Sequence, residues 1–453
     1  MSDAVSKKSV APPRDRTEPY SGYYLREVPE PDPELALVGA GTPMGEFMRR
    51  FWLPVCLSEQ LTDLPLAIRI LGEDLVAFRD KSGNIGVLHR HCSHRGTSLE
   101  YGIVSERGLR CCYHGWLFDA DGGILETPGE PPGSKLKEGL RHGAYPAFEY
   151  EGLVFAYLGP PAEKPEFPIY DTYDQPDNRM VPYALWFPCN WLQVHDNVMD
   201  PVHTAFLHSQ FAEIQLSEGY AVMPVLDFHE VPGGMVSIVG RRHGDVMWMR
   251  LHHTILPNFS QVAALWENGD DVKPFTRVSI SRWNVPVDDT HCWLFGWRHF
   301  NEAVDPGGLG DATQVGLDSM DFYGQAGNRP YVEMQGNPGD WEVINSQRTI
   351  AVHAREHLAT TDAGVAMLRR LLREAVRAED PVARAGIVKG NGGGPIPTYT
   401  YDTFLPLPLR ADRDDAALMR EVGRQVTDIV VEADRVPVGE RRAYIEGRLR
   451  DIT

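Results

Sequence analysis

Cys92-Ser-His94 and, across residues 95–110, Cys111-Cys-Tyr-His114-Gly-Trp116 form the stretch on which the reading of this chain turns. Each half supplies one thiolate and one imidazole from a tight loop. Two thiolates and two imidazoles can hold one tetrahedral zinc. They can equally hold a [2Fe–2S] cluster in which two Cys bind one iron and two His the other, which raises its potential above that of an all-Cys cluster. On spacing alone a stabilising zinc knuckle stays open beside the cluster.

The sequence around these loops is β-patterned. Ala67–Ile70, Leu75–Arg79 and Asn84–Leu88 read as short strands, and Asp80-Lys-Ser-Gly83 is a hairpin signal between the last two. Gly152–Leu158 continues the pattern, and the Pro-rich Gly159–Pro168 marks a boundary. A short helix is expected at Pro43–Phe51. The expected organisation is an N-terminal arm at 1–45, a small β domain at 46–160 and a larger domain at 161–453. In the larger part, Cys189–Phe211 reads as helical with Pro201 interrupting it. Runs at Met235–Val239, Val246–Ile255, Gln261–Trp266, Thr276–Trp283 and Cys292–Phe300, separated by Gly/Asn/Asp clusters such as Asn268-Gly-Asp-Asp271, suggest an antiparallel meander. Val365, Leu368, Leu372 and Val376 place one apolar face on a helix at Ala363–Ala378, opened by Thr360-Thr-Asp362. The tail from Arg410 reads as helical. The fold class is α+β.

Composition narrows the function. The 453 residues carry a net charge of −19, which repels nucleic-acid phosphates and anionic headgroups alike. No stretch approaches the length of apolar sequence needed to span a bilayer. The polar, Pro-rich N-terminus reads as a surface-draped arm without an export signal, so the expectation is a cytoplasmic protein with neither nucleic-acid nor membrane partners. In that setting a Cys cluster points to metal before cross-linking, and Cys56, Cys189 and Cys292 read as buried fillers. Gly39-Ala-Gly41…Gly45 only faintly echoes a dinucleotide fingerprint, with Pro43 inside it and no βαβ unit around it. Electrons are therefore expected from another protein.

A second constellation is Asn197-Val-Met-Asp200-Pro-Val-His203-Thr-Ala-Phe-Leu-His208. The step from His203 to His208 is awkward for one metal, because i+5 lies about 140° round an ideal helix. Both rings reach one ion only if the helix bends or breaks there.

Cys92-Ser-His-Arg-Gly-Thr-Ser-Leu99 and Cys111-Cys-Tyr-His-Gly-Trp116 closely resemble the Rieske signature of aromatic-ring-hydroxylating oxygenases. Asn190-Trp-Leu-Gln…Asp200…His203…His208 resembles the mononuclear iron motif of the same family. Gly41-Thr-Pro-Met-Gly45 and Arg50-Phe-Trp-Leu-Pro54 look most like its phthalate dioxygenase-like, α-only branch. The resemblance runs from about Gly39 to Ala378 and leaves the C-terminal tail unmatched. It implies a Rieske [2Fe–2S] domain followed by a catalytic domain with an antiparallel sheet flanked by helices, of helix-grip type. It implies Cys92, Cys111, His94 and His114 as cluster ligands, with Cys112 a bystander. His203, His208 and a downstream carboxylate would hold a mononuclear Fe(II) with positions open for O2. Among Asp318, Asp321, Glu333, Asp340, Glu342 and Glu356, the family pattern selects Asp340 in Asn337-Pro-Gly-Asp-Trp341, with Glu342 as second choice. Asp200 would join His203 to a cluster ligand equivalent to His114 on a neighbouring subunit, which implies a homotrimer or stacked trimers. The activity implied is that of a terminal oxygenase drawing electrons from a separate reductase, directly or through a ferredoxin, and hydroxylating or demethylating an aromatic substrate. A pure Rieske electron carrier would leave the larger domain unexplained, and a zinc-stabilised ligand-binding protein would leave the second His/His/Asp set unexplained. Val198, Val202, Phe206 and the sheet across Trp248–Trp266 are the expected pocket walls, with Arg250 and Asn258 as candidate orienting groups.

Overall fold

The computed structural model describes residues 19–452 apart from 174, 176, 211, 212, 214, 268–271, 274 and 386–393. Residues 1–18 of the N-terminal arm and the turn at Asn268–Asp271 therefore lie outside the described residues. The first part of the chain builds three small antiparallel sheets. One joins Trp52–Leu57, Leu153–Tyr157 and Ala147–Tyr150, and another runs Leu66–Ile70, Glu73–Arg79, Ile85–His89 and Ala144–Tyr145. The third, of two- and three-residue strands, spans Ile103–Val104, Leu109–Arg110, Leu117–Phe118 and Ile124–Glu126, and frames the Cys/His loops. The hairpin signal is explained by Asp80, whose Oδ1 accepts from the amides of Ser82 and Asn84.

The second part is one eight-stranded antiparallel sheet. Its order is Arg179–Phe187, His291–Phe300, Ile280–Asp288, Phe259–Val262, Val246–Ile255, Gly234–His243 and Val225–Val231, with Tyr401–Leu405 paired to Val246–Ile255 as well. The two-residue period of a strand splits this sheet into two faces. Met247, Met249 and Leu251 pack with Val236 and Ile238 against Leu418, Met419, Val422, Val426 and Ile429 of the C-terminal helix Asp415–Glu432. The alternate residues Arg250 and His252 look the other way, into a pocket.

Helix Ala363–Arg377 buries Val365, Leu368 and Leu372 as the spacing predicts, with Leu371 and Ala375 besides, while Val376 is half-buried against the core; its charged face works as a clamp. Arg369 binds Asp196, with its Nη2 2.5 Å from Oδ2, and also Glu356; Arg377 binds Glu34 and Arg373 binds Asp32. The helix thereby ties the segment around Asp32 to the helix Trp191–Asp196, which leads into the second His motif. Among the described residues no helix is long and apolar enough to cross a membrane.

The helical stretch read over Cys189–Phe211 is present with the interruption expected at Pro201, as Trp191–Asp196, a 3-10 turn at Asn197–Met199 and His203–Phe206, because Asp200-Pro201 interrupts the backbone ladder; Phe211 lies outside the described residues. Two expectations need correcting. Gln261–Trp266 and Thr276–Trp283 are shifted to Phe259–Val262 and Ile280–Asp288. Arg179–Phe187 and Tyr401–Leu405 are strands the sequence reading passed over.

Candidate active site

The two Cys/His loops are built alike. The amide of Gly96 donates to the Cys92 carbonyl at 2.8 Å, and that of Gly115 to the Cys111 carbonyl at 3.1 Å. Both glycines sit at positive φ, +74° and +73°, where a side chain is strained, so each Cys needs a glycine four residues on to close its turn. The turns bring the buried thiols of Cys92 and Cys111 close enough for each to feel the other, and set the His94 and His114 rings 4.5 Å apart, centroid to centroid. Trp116 stacks on His94 at 4.7 Å. Burial pushes the Cys92 thiol up to about 11, so metal loading must displace its proton. Ser93 Oγ lies 2.5 Å from His142 Nδ1, and His142 Nε2 donates to the His89 carbonyl, bracing the first loop from behind. Two thiols on one side and two exposed or half-exposed imidazoles on the other fit a mixed-ligand [2Fe–2S] cluster. Cys112 is exposed, while Cys56, Cys189 and Cys292 are buried.

The break after Asp200 resolves the awkward histidine spacing. His203 opens its short helix and His208 follows that helix's end, so the two rings lie 5.1 Å apart, centroid to centroid. Asp340, first residue of helix Asp340–Asn345, meets both: its Oδ1 is 3.5 Å from His203 Nε2 and 3.4 Å from His208 Nε2. The remaining ring nitrogens are committed elsewhere. His203 Nδ1 donates to the Asp200 carbonyl, and His208 Nδ1 donates to Gln215 Oε1 at 2.7 Å. Asn197 Nδ2 and Gln325 Nε2 donate to the two oxygens of Asp340 at 3.2 and 3.0 Å. Burial pushes the Asp340 carboxyl up, but His208 and His203 outweigh it and hold the group far below the usual carboxylate range. The same balance raises His208 through Asp340, whereas burial wins at His203 and lowers it. Two imidazole lone pairs and a carboxylate, all within 4.8 Å of one another, fit a divalent cation.

The other carboxylates weighed from the sequence are engaged. Glu342 bonds Arg329 and the Gly339 amide, Asp321 pairs with Arg298, and Glu356 with Arg369. Asp318 accepts from the Trp186 amide, and Glu333 lies 3.7 Å from Arg329. Gln215 and Gln325 were not legible as site residues; uncharged, and seven and 15 residues from His208 and Asp340, they stand outside both motifs.

Val198, Leu216, Val239, Val262, Leu265 and Ile280 give the pocket beside Asp340 apolar walls. Val202 and Phe206, expected there, do not line it, because the broken helix turns them elsewhere. Arg250 does line it; Asn258 does not, and its buried amide donates to the Asn284 carbonyl.

The Rieske [2Fe-2S] domain model matches residues 51–146. The tert-butanol monooxygenase / tert-amyl alcohol desaturase oxygenase subunit of Aquincola tertiaricarbonis is 48% identical over 96% of each chain. Phenoxybenzoate dioxygenase subunit alpha of Ectopseudomonas oleovorans is 40% identical over 79% of this chain and 88% of its own. A crystal structure of dicamba monooxygenase bound to 3,6-dichlorosalicylic acid shares the fold, with a TM-score of 0.54 and 18% identity over 72% of this chain and 96% of that one. Aligned with an oxygenase subunit across nearly its whole length, the chain belongs to the Rieske oxygenases, terminal components that use a [2Fe–2S] cluster, a mononuclear non-haem iron and electrons from a separate protein to oxidise substrates with O2.

Proposed function

We propose that His203, His208 and Asp340 hold the mononuclear Fe(II), that Cys92, Cys111, His94 and His114 hold the cluster, and that Asp200 links the two centres across a subunit boundary. The observation that carries this reading is the convergence of two imidazole Nε2 atoms on one carboxylate oxygen in the wall of a pocket. Once bound, the iron supplies the open coordination positions and redox chemistry for O2. The chain's own groups hold and orient: Gln215 and the Asp200 carbonyl fix the planes of the two rings, Asn197 and Gln325 fix the carboxylate, and the apolar walls exclude water. Asp200 is suited to a link, since its half-exposed carboxylate lies 3.9 Å from His203 Nδ1 while His114 is half-exposed at the cluster end.

On this reading residues 46–160 form the cluster-bearing domain and 161–453 the catalytic one, the enzyme is a cytoplasmic homotrimer or stack of trimers, and a reductase, with or without a ferredoxin, feeds it. The substrate is aromatic and undergoes dihydroxylation, monooxygenation or demethylation. Turnover of tertiary alcohols alone, in a panel with aromatic acids, methoxyarenes and N-methyl compounds, would overturn that substrate class.

Metal content tests the ligand assignment. Protein purified with its metals should hold about three irons per chain, two of them with acid-labile sulfide. One zinc and no sulfide would overturn it. Gln215→Ala should leave the cluster spectrum unchanged and weaken Fe(II) binding ~10–100-fold in a titration of metal-stripped protein, because the His208 ring loses its orienting acceptor.

A further inference from the structure

The pocket wall holds more positive charge than its surroundings balance. Arg241, Arg250 and Arg282 all line it, Arg241 and Arg250 being only 1% and 2% exposed. The carboxylate behind them is Asp402, fully buried on the late strand Tyr401–Leu405, with its Oδ1 3.8 Å from Arg250 Nε. Glu267 is taken by Lys273 at 2.9 Å, and Asp340 by the two imidazoles. Among the described residues no ion pair joins Arg241 or Arg282 to a carboxylate. Buried cations in excess of their counter-charges are costly and persist where a ligand completes them.

The three guanidiniums are not equally free. Arg241 is tied to the Val222 carbonyl and Thr204 Oγ1 and lies over the rings of Tyr220 and Trp248. Arg250 is tied to the Tyr220 hydroxyl and, through Nε, to His252 Nε2 at 2.7 Å. Burial and the neighbouring arginines keep His252 well below its ordinary pKa, so it is neutral; with Nε2 accepting, its proton sits on Nδ1. Half-buried Arg282, on the strand Ile280–Asp288, is held at its base, where Nε reaches Ser260 Oγ at 3.4 Å. Its two terminal nitrogens form the planar fork that matches an oxyanion in two-point contact.

We propose that Arg282 is a specificity-determining residue that anchors a carboxylate or sulfonate on the substrate, with His252 as a neighbouring donor, while the apolar walls take the substrate's hydrocarbon body. This rests on the assignment of the pocket as the oxidation site. The test measures calorimetric binding of benzoate, and of benzamide as its neutral isostere, to the iron-loaded enzyme. Benzoate should bind roughly 30-fold more tightly than benzamide. Arg282→Gln should abolish that preference while leaving benzamide affinity and iron content unchanged, and Arg282→Lys should keep part of it. Equal affinities in the parent protein, no binding of either probe, or an Arg282→Gln variant that still prefers benzoate overturns the proposal. If the protein lacks the third iron, the site assignment itself has failed; with three irons and no preference, only the anion anchor has.

Discussion

Asp340→Asn should yield a folded protein with about two irons per chain in place of three, a normally reducible cluster and no product. The substitution keeps the side chain's shape and removes its charge. Because the imidazoles hold the native carboxyl far below its usual range, the group is ionised at any working pH, so the variant loses a full negative charge from the ligand set. It also upsets the supporting hydrogen bonds. Asn197 and Gln325 each donate to one oxygen of Asp340, whereas an amide offers only one oxygen and turns its NH2 toward the other donor. The cluster loops sit on a separate small sheet and feel none of this. Iron and sulfide analysis, with electron paramagnetic resonance of the reduced cluster, checks the result. An Asp340→Asn protein that keeps three irons and turns over would hand the ligand role to another carboxylate, and each of the others weighed already has a hydrogen-bond or ion-pair partner.

What the sequence disclosed follows the range of the interactions involved. Each Cys/His loop closes on itself within five residues, through a glycine that the turn requires, so local spacing was enough to read it. The same holds for the Asp80 hairpin and for helix Ala363–Arg377, whose apolar period is undisturbed. Failures came where a partner distant in sequence decides. Arg179–Phe187 does not alternate and contains Pro182, which reads as a breaker; the strand survives because it lies at the edge of the sheet, with His291–Phe300 on one side and, on the other, a single bridge from Ala184 to Leu317. Tyr401–Leu405 joins the sheet beside Val246–Ile255, far earlier in the chain, and brings Asp402 beneath Arg250. Nothing local announces that pairing. Arg241 and Arg282, as arginines within strands, look like solvent-facing residues until the sheet's other face is known to be covered by the C-terminal helices. Asp340 was chosen through resemblance; its Oδ1 lies 3.5 and 3.4 Å from the Nε2 atoms of His203 and His208.

Asp200→Asn should separate electron delivery from everything else the site does. Followed by Pro201, Asp200 looks like a helix cap, and an Asn there would cap about as well. That role is absent: the short helix starts at His203 with Val202 at its cap position, and Asp200 ends the preceding 3-10 turn with no side-chain capping bond. What orients His203 is the Asp200 backbone carbonyl, which the substitution leaves in place. The variant should therefore fold, assemble and hold about three irons, with an unchanged cluster spectrum. Its side chain differs from the parent's in charge alone, at the point where the carboxylate stands 3.9 Å from His203 Nδ1. If that carboxylate joins His203 to the partner subunit's His114, an amide in its place weakens the link to both imidazoles, and product formation falls by ~100-fold or more. The decisive measurement is a single turnover. The pre-reduced variant, mixed with substrate and O2, should keep its cluster reduced long after the parent protein has been oxidised, while an external reductant still reduces the oxidised cluster at the normal rate. Oxidation of the cluster at the parent's rate, with near-normal product, would remove Asp200 from the path and leave His203 reached by another route.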